Sequence, residues 1–154
     1  MFSLKYFLFL ALFVSCFVSA NEIVGGYSNS KNEGSSSNLN GFNLKFNYKL
    51  SDDGGAGGVI SSTYTEKGGL KLLNTTVGGS YDLNKHFKFY ALAGPSIASS
   101  ALVENGRHKY GIASGLGLMI FDVSSPLLFD ISYEYSNVKD KKVHTFIFGV
   151  GYSF

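Results

Sequence analysis

The chain has 154 residues, with 13 basic and 11 acidic side chains and a formal net charge of +2 at pH 7. So small a charge gives no support to a nucleic-acid partner, which would call for a strongly basic surface. The length allows one domain, and the single cysteine excludes a fold held by intramolecular disulfides.

The first 20 residues have the features of a secretory signal peptide. A single basic residue, Lys5, precedes the apolar run Tyr6–Val14, and the small residues of Val18–Ala20 precede the polar Asn21. The apolar run is too short to span a bilayer. A retained N-terminal anchor and a lipoprotein signal cut before Cys16 are the alternatives. We predict a signal peptide at residues 1–20 and one domain at residues 21–154.

Downstream of this segment, large apolar residues alternate with small or polar ones, which is the period of a β-strand. In Gly41–Leu50, Phe42 and Leu44 lie on one face, whereas Asn43 and Lys45 lie on the other. The recurring alternation predicts eight strands: Glu22–Asn29, Gly41–Leu50, Gly58–Glu66, Leu73–Leu83, Phe87–Ser99, Tyr110–Phe121, Leu127–Ser136 and Val143–Phe154.

Two sets of connections alternate between these strands, and if the strands form an outer-membrane barrel, their even number places both termini in the periplasm. The periplasmic set contains turn-forming residues: Ser51–Gly57, Asn84–His86 and Asp122–Pro126. The outer set is Ser30–Asn40, Lys67–Leu72, Ser100–Lys109 and Asn137–Lys142. Within the fifth strand Pro95 cannot donate a ladder hydrogen bond, so we expect a bulge or the strand's exit from the membrane there.

The last predicted strand ends with two aromatic residues, Tyr152 and Phe154, which is typical of the closing strand of an outer-membrane barrel. A bilayer offers no water to satisfy an open strand edge, so the first and last strands must pair. Eight strands enclose an interior just wide enough for side chains. We therefore predict an all-β fold, a closed eight-stranded antiparallel transmembrane β-barrel, with Tyr152 and Phe154 as its C-terminal assembly signal.

Polar residues of the predicted strands are expected to face the barrel interior. This set comprises Lys45, Lys49, Lys88, Tyr90, Asp130 and Glu134. Opposite charges in a narrow interior are expected to pair, because an unpaired buried charge is very costly. Asp130 and Glu134 are four residues apart on one strand face, about 13 Å, which is too far for a shared proton. We interpret the set as a polar network that fills the barrel; a proton or ion path is the alternative.

The outer connections carry more basic than acidic residues, whereas the periplasmic turns carry mostly aspartates. The basic residues are Lys31, Lys67, Lys71, Arg107, Lys109, Lys139, Lys141 and Lys142, and the acidic ones are Glu33, Glu66, Glu104 and Asp140. A basic rim suits the phosphates of lipopolysaccharide or a sulfated host glycan. We predict partner contacts at Lys139, Lys141 and Lys142, together with Arg107 and Lys109. Ordinary solvated loop charge is the alternative.

Three histidines occur, and they lack the local spacing of a metal site. His86 falls in a periplasmic turn, His108 in the third outer connection and His144 near the outer end of the last strand. A hydrolase of outer-leaflet lipid would need a histidine close to a serine or a carboxylate. His144 with Ser136 or Glu134 would provide such a pair, although nothing in the spacing demands it. We expect no enzymatic activity and no cofactor.

Four stretches resemble, in the same order along the chain, the Ail/Lom/OmpX family of enterobacterial outer-membrane barrels. They are Gly41–Tyr48, Val59–Lys67, Phe129–Ser136 and Phe148–Phe154. The resemblance spans nearly the whole predicted domain and implies an outer-membrane barrel whose strands extend beyond the bilayer. For some members it also implies adhesion to host cells or matrix, cell entry and resistance to complement.

The resemblance and the basic rim together predict a surface protein that mediates attachment to host cells or matrix, or serum resistance, through its outer loops. A structural or envelope-stress barrel without a dedicated partner is the alternative. A lipid enzyme based on His144 and a narrow channel are weaker alternatives. The expected partners are outer-membrane lipid and lipopolysaccharide, host-cell, matrix or complement proteins, and the barrel-assembly machinery. We expect a monomer.

Overall fold

The computed structural model describes residues 20–52, 55–100, 108–139 and 141–154. Residues 1–19 of the predicted signal peptide and the predicted contact Arg107 lie outside the described residues. Eight strands follow one another along the chain: β1 Glu22–Asn32, β2 Asn38–Lys49, β3 Ala56–Lys67, β4 Leu70–Asp82, β5 Phe87–Ser100, β6 Lys109–Phe121, β7 Leu127–Val138 and β8 Lys141–Ser153.

Each strand pairs antiparallel with the next, and β1 also pairs with β8, so the sheet is a closed barrel. The closing register runs from Glu22 opposite Ser153 to Asn32 opposite Val143. Phe154 N also donates a hydrogen bond of 2.8 Å to Asn21 O. No strand edge is left open, as a hydrocarbon environment requires. The predicted fold class is therefore confirmed.

The outer surface of the barrel carries an apolar band. Residues alternate along each strand, so that in β8 Phe146, Phe148 and Val150 are exposed, whereas Ile147 and Gly149 between them are buried. An apolar exterior over a polar interior is the arrangement expected of a barrel surrounded by lipid. Within the described residues, no helix is both long and apolar enough to cross a membrane.

The strands extend further on the outer side than the apolar alternation predicted. β1 continues to Asn32 and β2 begins at Asn38, so much of the predicted connection Ser30–Asn40 is strand. Only Gly68 and Gly69 separate β3 from β4, and both have a positive φ. In the added parts of β1 and β2 the outward residues Lys31, Asn38 and Asn40 are polar, and backbone pairing continues without an apolar outward face.

Pro95 introduces no bulge, contrary to one of the two sequence expectations. Asn74 pairs with Ser96 and Val77 pairs with Ala93, so the register is the same before and after the proline. On its other side Pro95 lies opposite Ile112. The missing N–H of Pro95 therefore removes a hydrogen bond from the β4–β5 ladder, but neither strand contains an extra residue there.

Small residues of β6 make room for large side chains inside the barrel. A Cβ atom placed on Gly117 would lie 2.1 Å from Cζ of Tyr90, and one placed on Gly115 would lie 3.0 Å from Cγ of Glu134. Ala113, on the same inward face, is fully buried. The run of small inward residues in β6 thus complements the bulk of Tyr90 and Glu134.

Candidate functional site

The middle of the barrel holds a buried hydrogen-bonded network centred on Lys45. Its ammonium group donates to Asp130 Oδ2 at 2.5 Å, to Tyr90 Oη at 2.5 Å and to Ser132 Oγ at 3.1 Å. Tyr90 in turn donates to Asp130 Oδ1 at 2.6 Å. These residues come from β2, β5 and β7, so the network links strands across the barrel. An ammonium group has three N–H donors, and all three have partners here.

A second ion pair lies nearer the periplasmic end. Lys88 Nζ is 2.7 Å from Glu22 Oε1 and 3.5 Å from Asp82 Oδ1. Glu22 is buried at the start of β1, and sequence reasoning did not place it in the interior set. The inward alternation of β1 was the available signal. Lys49, which was placed in that set, is exposed at the end of β2, because the strand ends there and the side chain reaches solvent.

Glu134 lies in an upper polar layer made of uncharged groups. Its carboxylate accepts a hydrogen bond of 2.9 Å from Thr63 Oγ1 and one of 3.1 Å from Asn74 Nδ2. Ser96 donates to Asn74 Oδ1 at 2.6 Å and holds the amide in place. A buried apolar cluster lies at the outer ends of these strands: Leu72, Ala98, Val138 and Val143. The interior is thus divided into polar and apolar layers of packed side chains.

The outer rim of the barrel is rich in lysine. Within the described part of the chain it carries Lys31, Lys67, Lys71, Lys109, Lys139, Lys141 and Lys142, against Glu33 and Glu66. All of these except Lys141, which is partly buried, have exposed side chains. Glu104 and Asp140, like Arg107, lie outside the described residues. The rim therefore presents a surplus of positive charge to solvent.

Three of these lysines surround the turn between β7 and β8. Val138 pairs with Lys141, and Asn137 pairs with Lys142, so Lys139 leaves one strand as Lys141 enters the next. Lys139 has φ 52° and is the one non-glycine residue with positive φ in the described chain. The tight turn places several ammonium groups on a short stretch of the rim.

His144 lies on the outward face of β8 and connects the first outer turn to the barrel wall. Its Nε2 is 2.8 Å from Glu33 Oε1, and its Nδ1 is hydrogen-bonded to Tyr133 Oη. The hydrogen bond from His144 holds the pKa of Glu33 below its usual value of 4.5, and the positive charge of Lys142, 4.0 Å away, acts in the same direction. The ring of Tyr135 is 5.3 Å from that of His144.

The suggested pairing of His144 with Ser136 or Glu134 is wrong. Both of these side chains are buried inside the barrel, whereas His144 faces outward on the neighbouring strand. The alternation of inward and outward residues along each strand was enough to exclude the pairing, because it places Ser136 and Glu134 on the inward face and His144 on the outward face. His86 and His108 are exposed at the ends of separate connections. Within the described ranges, no group of three His, Cys, Asp or Glu side chains could hold a metal ion.

Both residues of the predicted C-terminal signal lie at the periplasmic end of the barrel. Tyr152 faces outward near the end of β8, and Phe154 follows the strand. Their rings are 5.1 Å apart in an edge-to-face arrangement. Both side chains are largely exposed, so they are available at the surface of the folded barrel.

A closed barrel with an apolar exterior, a packed polar interior and a charged outer rim defines the class of small outer-membrane β-barrel proteins. No established family model matches the chain. The chain is 32% identical over 151 residues to Outer membrane protein X of Escherichia coli K12, covering 88% of this chain and 86% of that protein. It is 32% identical over 133 residues to the attachment invasion locus protein of Yersinia pseudotuberculosis, covering 76% and 72%.

Solved structures agree with these relationships. The crystal structure of Ail, the attachment invasion locus protein of Yersinia pestis, matches with a TM-score of 0.74 and 31% identity, covering 88% of this chain and 99% of that one. Ail in complex with the heparin analogue sucrose octasulfate matches with a TM-score of 0.71 and 31% identity, covering 86% and 97%. The chain belongs to the Ail/OmpX family of outer-membrane β-barrel proteins, and its place is the outer membrane.

Proposed function

We propose that this protein attaches the bacterium to anionic, sulfated surfaces of host cells or matrix through the lysines of its outer rim. The observation that carries the proposal is the excess of exposed lysine over glutamate on that rim. Sulfated glycans are polyanions, and exposed ammonium groups attract them over distances set by the ionic strength. The related Ail has been solved with a heparin analogue, which supports the same ligand chemistry here.

The shape of the outer side favours recognition by charge. Three of the four outer connections are short. Five residues join β1 to β2, two glycines join β3 to β4, and β8 begins at Lys141, directly after the turn that follows β7. Such connections offer little surface for a shaped pocket. Because these lysines lie on strand ends, no loop has to become ordered when they bind an extended polyanion, and binding avoids that entropic cost. The proposal thus concerns binding and no catalytic step.

The experiment compares bacteria that display the protein with bacteria that display the triple variant Lys139→Ala, Lys141→Ala and Lys142→Ala. We expect the variant to elute from immobilised heparin at lower salt and to bind epithelial cells less well, because three charges leave one rim segment. The matched control is the double variant Lys49→Ala and Lys85→Ala, which removes exposed lysines from the periplasmic side.

The control is expected to elute from heparin like the unmodified protein. Surface display of every variant is verified by the heat-dependent gel shift of a folded barrel. Equal elution of the triple variant and the control would contradict the proposal.

We further infer that the same rim contacts the phosphates of lipopolysaccharide around the barrel, and that complement or matrix proteins are further partners. Survival in serum of bacteria displaying the protein, compared with the empty vector, tests the complement part.

We also propose that Tyr152 and Phe154 form the signal that the barrel-assembly machinery reads. Their exposure at the periplasmic end supports this role. Nothing in the fold requires a second copy, and we propose a monomer.

A further inference from the structure

The charges inside the barrel are not balanced. Five charged side chains in the described part of the chain are at least nine-tenths buried: Glu22, Lys45, Lys88, Asp130 and Glu134. Two of them are positive and three are negative. Lys88 pairs with Glu22, and Lys45 pairs with Asp130. Glu134 is left without an ion-pair partner among the described residues.

Lys45 is the nearest candidate to neutralise Glu134, but its hydrogen-bonding capacity is already used. Its three N–H groups point to Asp130, Tyr90 and Ser132. A direct bond to Glu134 would therefore leave one of these buried partners unsatisfied, which is costly inside a protein. The carboxylate of Glu134 is therefore neutralised either by a proton or by a positive charge from outside the chain.

The two carboxylate oxygens of Glu134 accept hydrogen bonds from uncharged groups. Thr63 donates to Oε1 and Asn74 donates to Oε2, so each oxygen receives one neutral donor. A protonated carboxyl group would instead need an acceptor for its own proton. An isolated buried carboxylate is very unfavourable, even with two neutral hydrogen bonds.

Three further buried oxygens in this part of the barrel have no hydrogen-bond partner among the described residues: Asn43 Oδ1, Thr76 Oγ1 and Ser136 Oγ. Asn43 is connected to the carboxylate, because its Nδ2 donates to Thr63 Oγ1 at 2.8 Å and Thr63 donates to Glu134. Thr76 and Ser136 occupy the inward positions next to Asn74 and Glu134 on their strands. These buried oxygens without partners lie on strands that also contribute to the hydrogen-bonded layer of Glu134.

We propose that this polar layer binds one small monovalent cation of the alkali-metal type, with the Glu134 carboxylate as its charged ligand. Carboxylate, hydroxyl and amide oxygens are hard ligands, which suit such ions. A single positive charge balances the interior. Calcium sites take six to eight oxygen ligands and commonly several carboxylates, whereas this layer has one. On β7, Asp130 of the Lys45 network precedes Glu134 and Val138 of the apolar cluster follows it, so these two groups flank the polar layer.

The test measures the temperature at which the folded barrel is lost, in chloride salts of lithium, sodium, potassium and N-methylglucamine at equal ionic strength. An ion that binds only the folded state raises this temperature with its concentration. We expect a higher midpoint in at least one alkali salt than in N-methylglucamine, which is too large for the site. Glu134→Gln removes the charge at nearly constant volume and is expected to abolish the difference.

The matched control is Glu66→Gln, which removes an exposed carboxylate from the outward face of β3 and should keep the salt difference. Equal midpoints of the unmodified protein in all four salts would overturn the proposal. An infrared carbonyl band of a protonated carboxyl group that disappears in Glu134→Gln would also overturn it, because a proton would then neutralise the site.

A direct observation does not depend on the folding of any variant. Crystals of the unmodified protein grown in rubidium chloride are examined for anomalous scattering. A peak beside the Glu134 carboxylate supports the proposal, and a barrel interior without such a peak, together with equal midpoints in all four salts, overturns it.

Discussion

Lys139 combines an exposed charge with a backbone conformation that disfavours any side chain. Its φ of 52° lies in the left-handed region, where a Cβ atom approaches the following carbonyl oxygen and costs about 1–2 kcal/mol. Glycine or asparagine is the usual residue at such a position of a tight hairpin. A lysine at this position is therefore less stable than a glycine would be, and it places a charge at the tip of the β7–β8 turn.

Replacing Lys139 separates the two effects. Lys139→Gly removes both the charge and the strain, whereas Lys139→Ala removes the charge and keeps the Cβ atom. We expect the glycine variant to exceed the alanine variant in free energy of unfolding by about 1 kcal/mol. Denaturant titration of the purified barrel measures this difference. Equal stabilities would show that the turn relaxes in one of the variants, whereas heparin elution should be the same for both.

Glu33 and His144 give a second single-residue effect, which depends on pH. The hydrogen bond from His144 lowers the pKa of Glu33 in the folded protein, so the contact stabilises the fold while Glu33 is ionised. The contribution is fully present above the usual pKa near 4.5, and it is lost as the pH falls through the lowered folded value. Acid therefore loosens the first outer turn from β8.

Proteolysis of the turn formed by residues 33–37 reports this loosening. We expect cleavage to become faster below about pH 4, and we expect Glu33→Gln to be cleaved quickly already at pH 7. Glu66→Gln, at the end of β3, serves as the control and should leave the profile unchanged. A cleavage rate of Glu33→Gln equal to that of the unmodified protein at pH 7 would refute the role of this contact.

At the scale of secondary-structure elements, β6 shows how one strand adapts to its neighbours. Its inward residues Ala113, Gly115 and Gly117 are small, and the space above Gly117 is filled by the ring of Tyr90. That ring is held by hydrogen bonds to Lys45 and Asp130, so it cannot move aside freely. The strand is therefore intolerant of added volume on its inner face.

Gly117→Ala tests this intolerance. The new methyl group would lie 2.1 Å from Cζ of Tyr90, and we expect a loss of about 1–3 kcal/mol in the free energy of unfolding. Gly25→Ala is the matched control, because a Cβ atom there meets nothing within 4 Å. Equal unfolding midpoints for the two variants would contradict the packing described for β6.

The sequence predicted the strands well where one face is apolar and poorly where neither is. The bounds of β5 and β6 differ from the prediction by one residue at one end. The outer ends of β1 and β2 were missed by three residues each, because Ser30–Asn32 carry polar groups on both faces and Asn38–Asn40 offer only one apolar residue, Leu39. Backbone hydrogen bonds, which composition does not record, extend the strands there.

At the scale of the whole molecule, the network of Lys45, Tyr90 and Asp130 joins strands on opposite sides of the barrel. Strand pairing stabilises only neighbouring strands, whereas this network spans the interior. The three residues are fully buried or nearly so, and each polar atom named above has a partner. Such a network fixes the cross-section of the barrel as long as it is complete.

Breaking the network on one side should therefore be costly. Lys45→Met leaves Asp130 as an unpaired buried charge, and we expect a loss of about 3–5 kcal/mol in the free energy of unfolding. The double variant Lys45→Met and Asp130→Leu removes both charges and should recover much of that loss. A double variant as unstable as Lys45→Met alone would contradict this explanation and point to lost packing instead.

The interior set illustrates the limits of sequence reasoning about a site. Strand alternation is enough to place Lys45, Asp130 and Glu134 on inward faces. The partner of each charge depends on the register between strands that are far apart in sequence, as for Glu22 and Lys88, 66 residues apart. The contact of His144 with Glu33, 111 residues apart, depends on barrel closure in the same way.

The hydrogen bond between Asn21 and Phe154 also has a consequence for engineering. Asn21, which precedes β1, lies next to Phe154, which follows β8, so a short peptide can join the two residues. The chain can then be opened at another periplasmic turn, between Asn84 and Lys85. Such a circular permutant keeps every strand pair but no longer ends in Tyr152 and Phe154. It would separate what the terminal aromatic residues contribute to membrane insertion from what β8 contributes to the finished barrel.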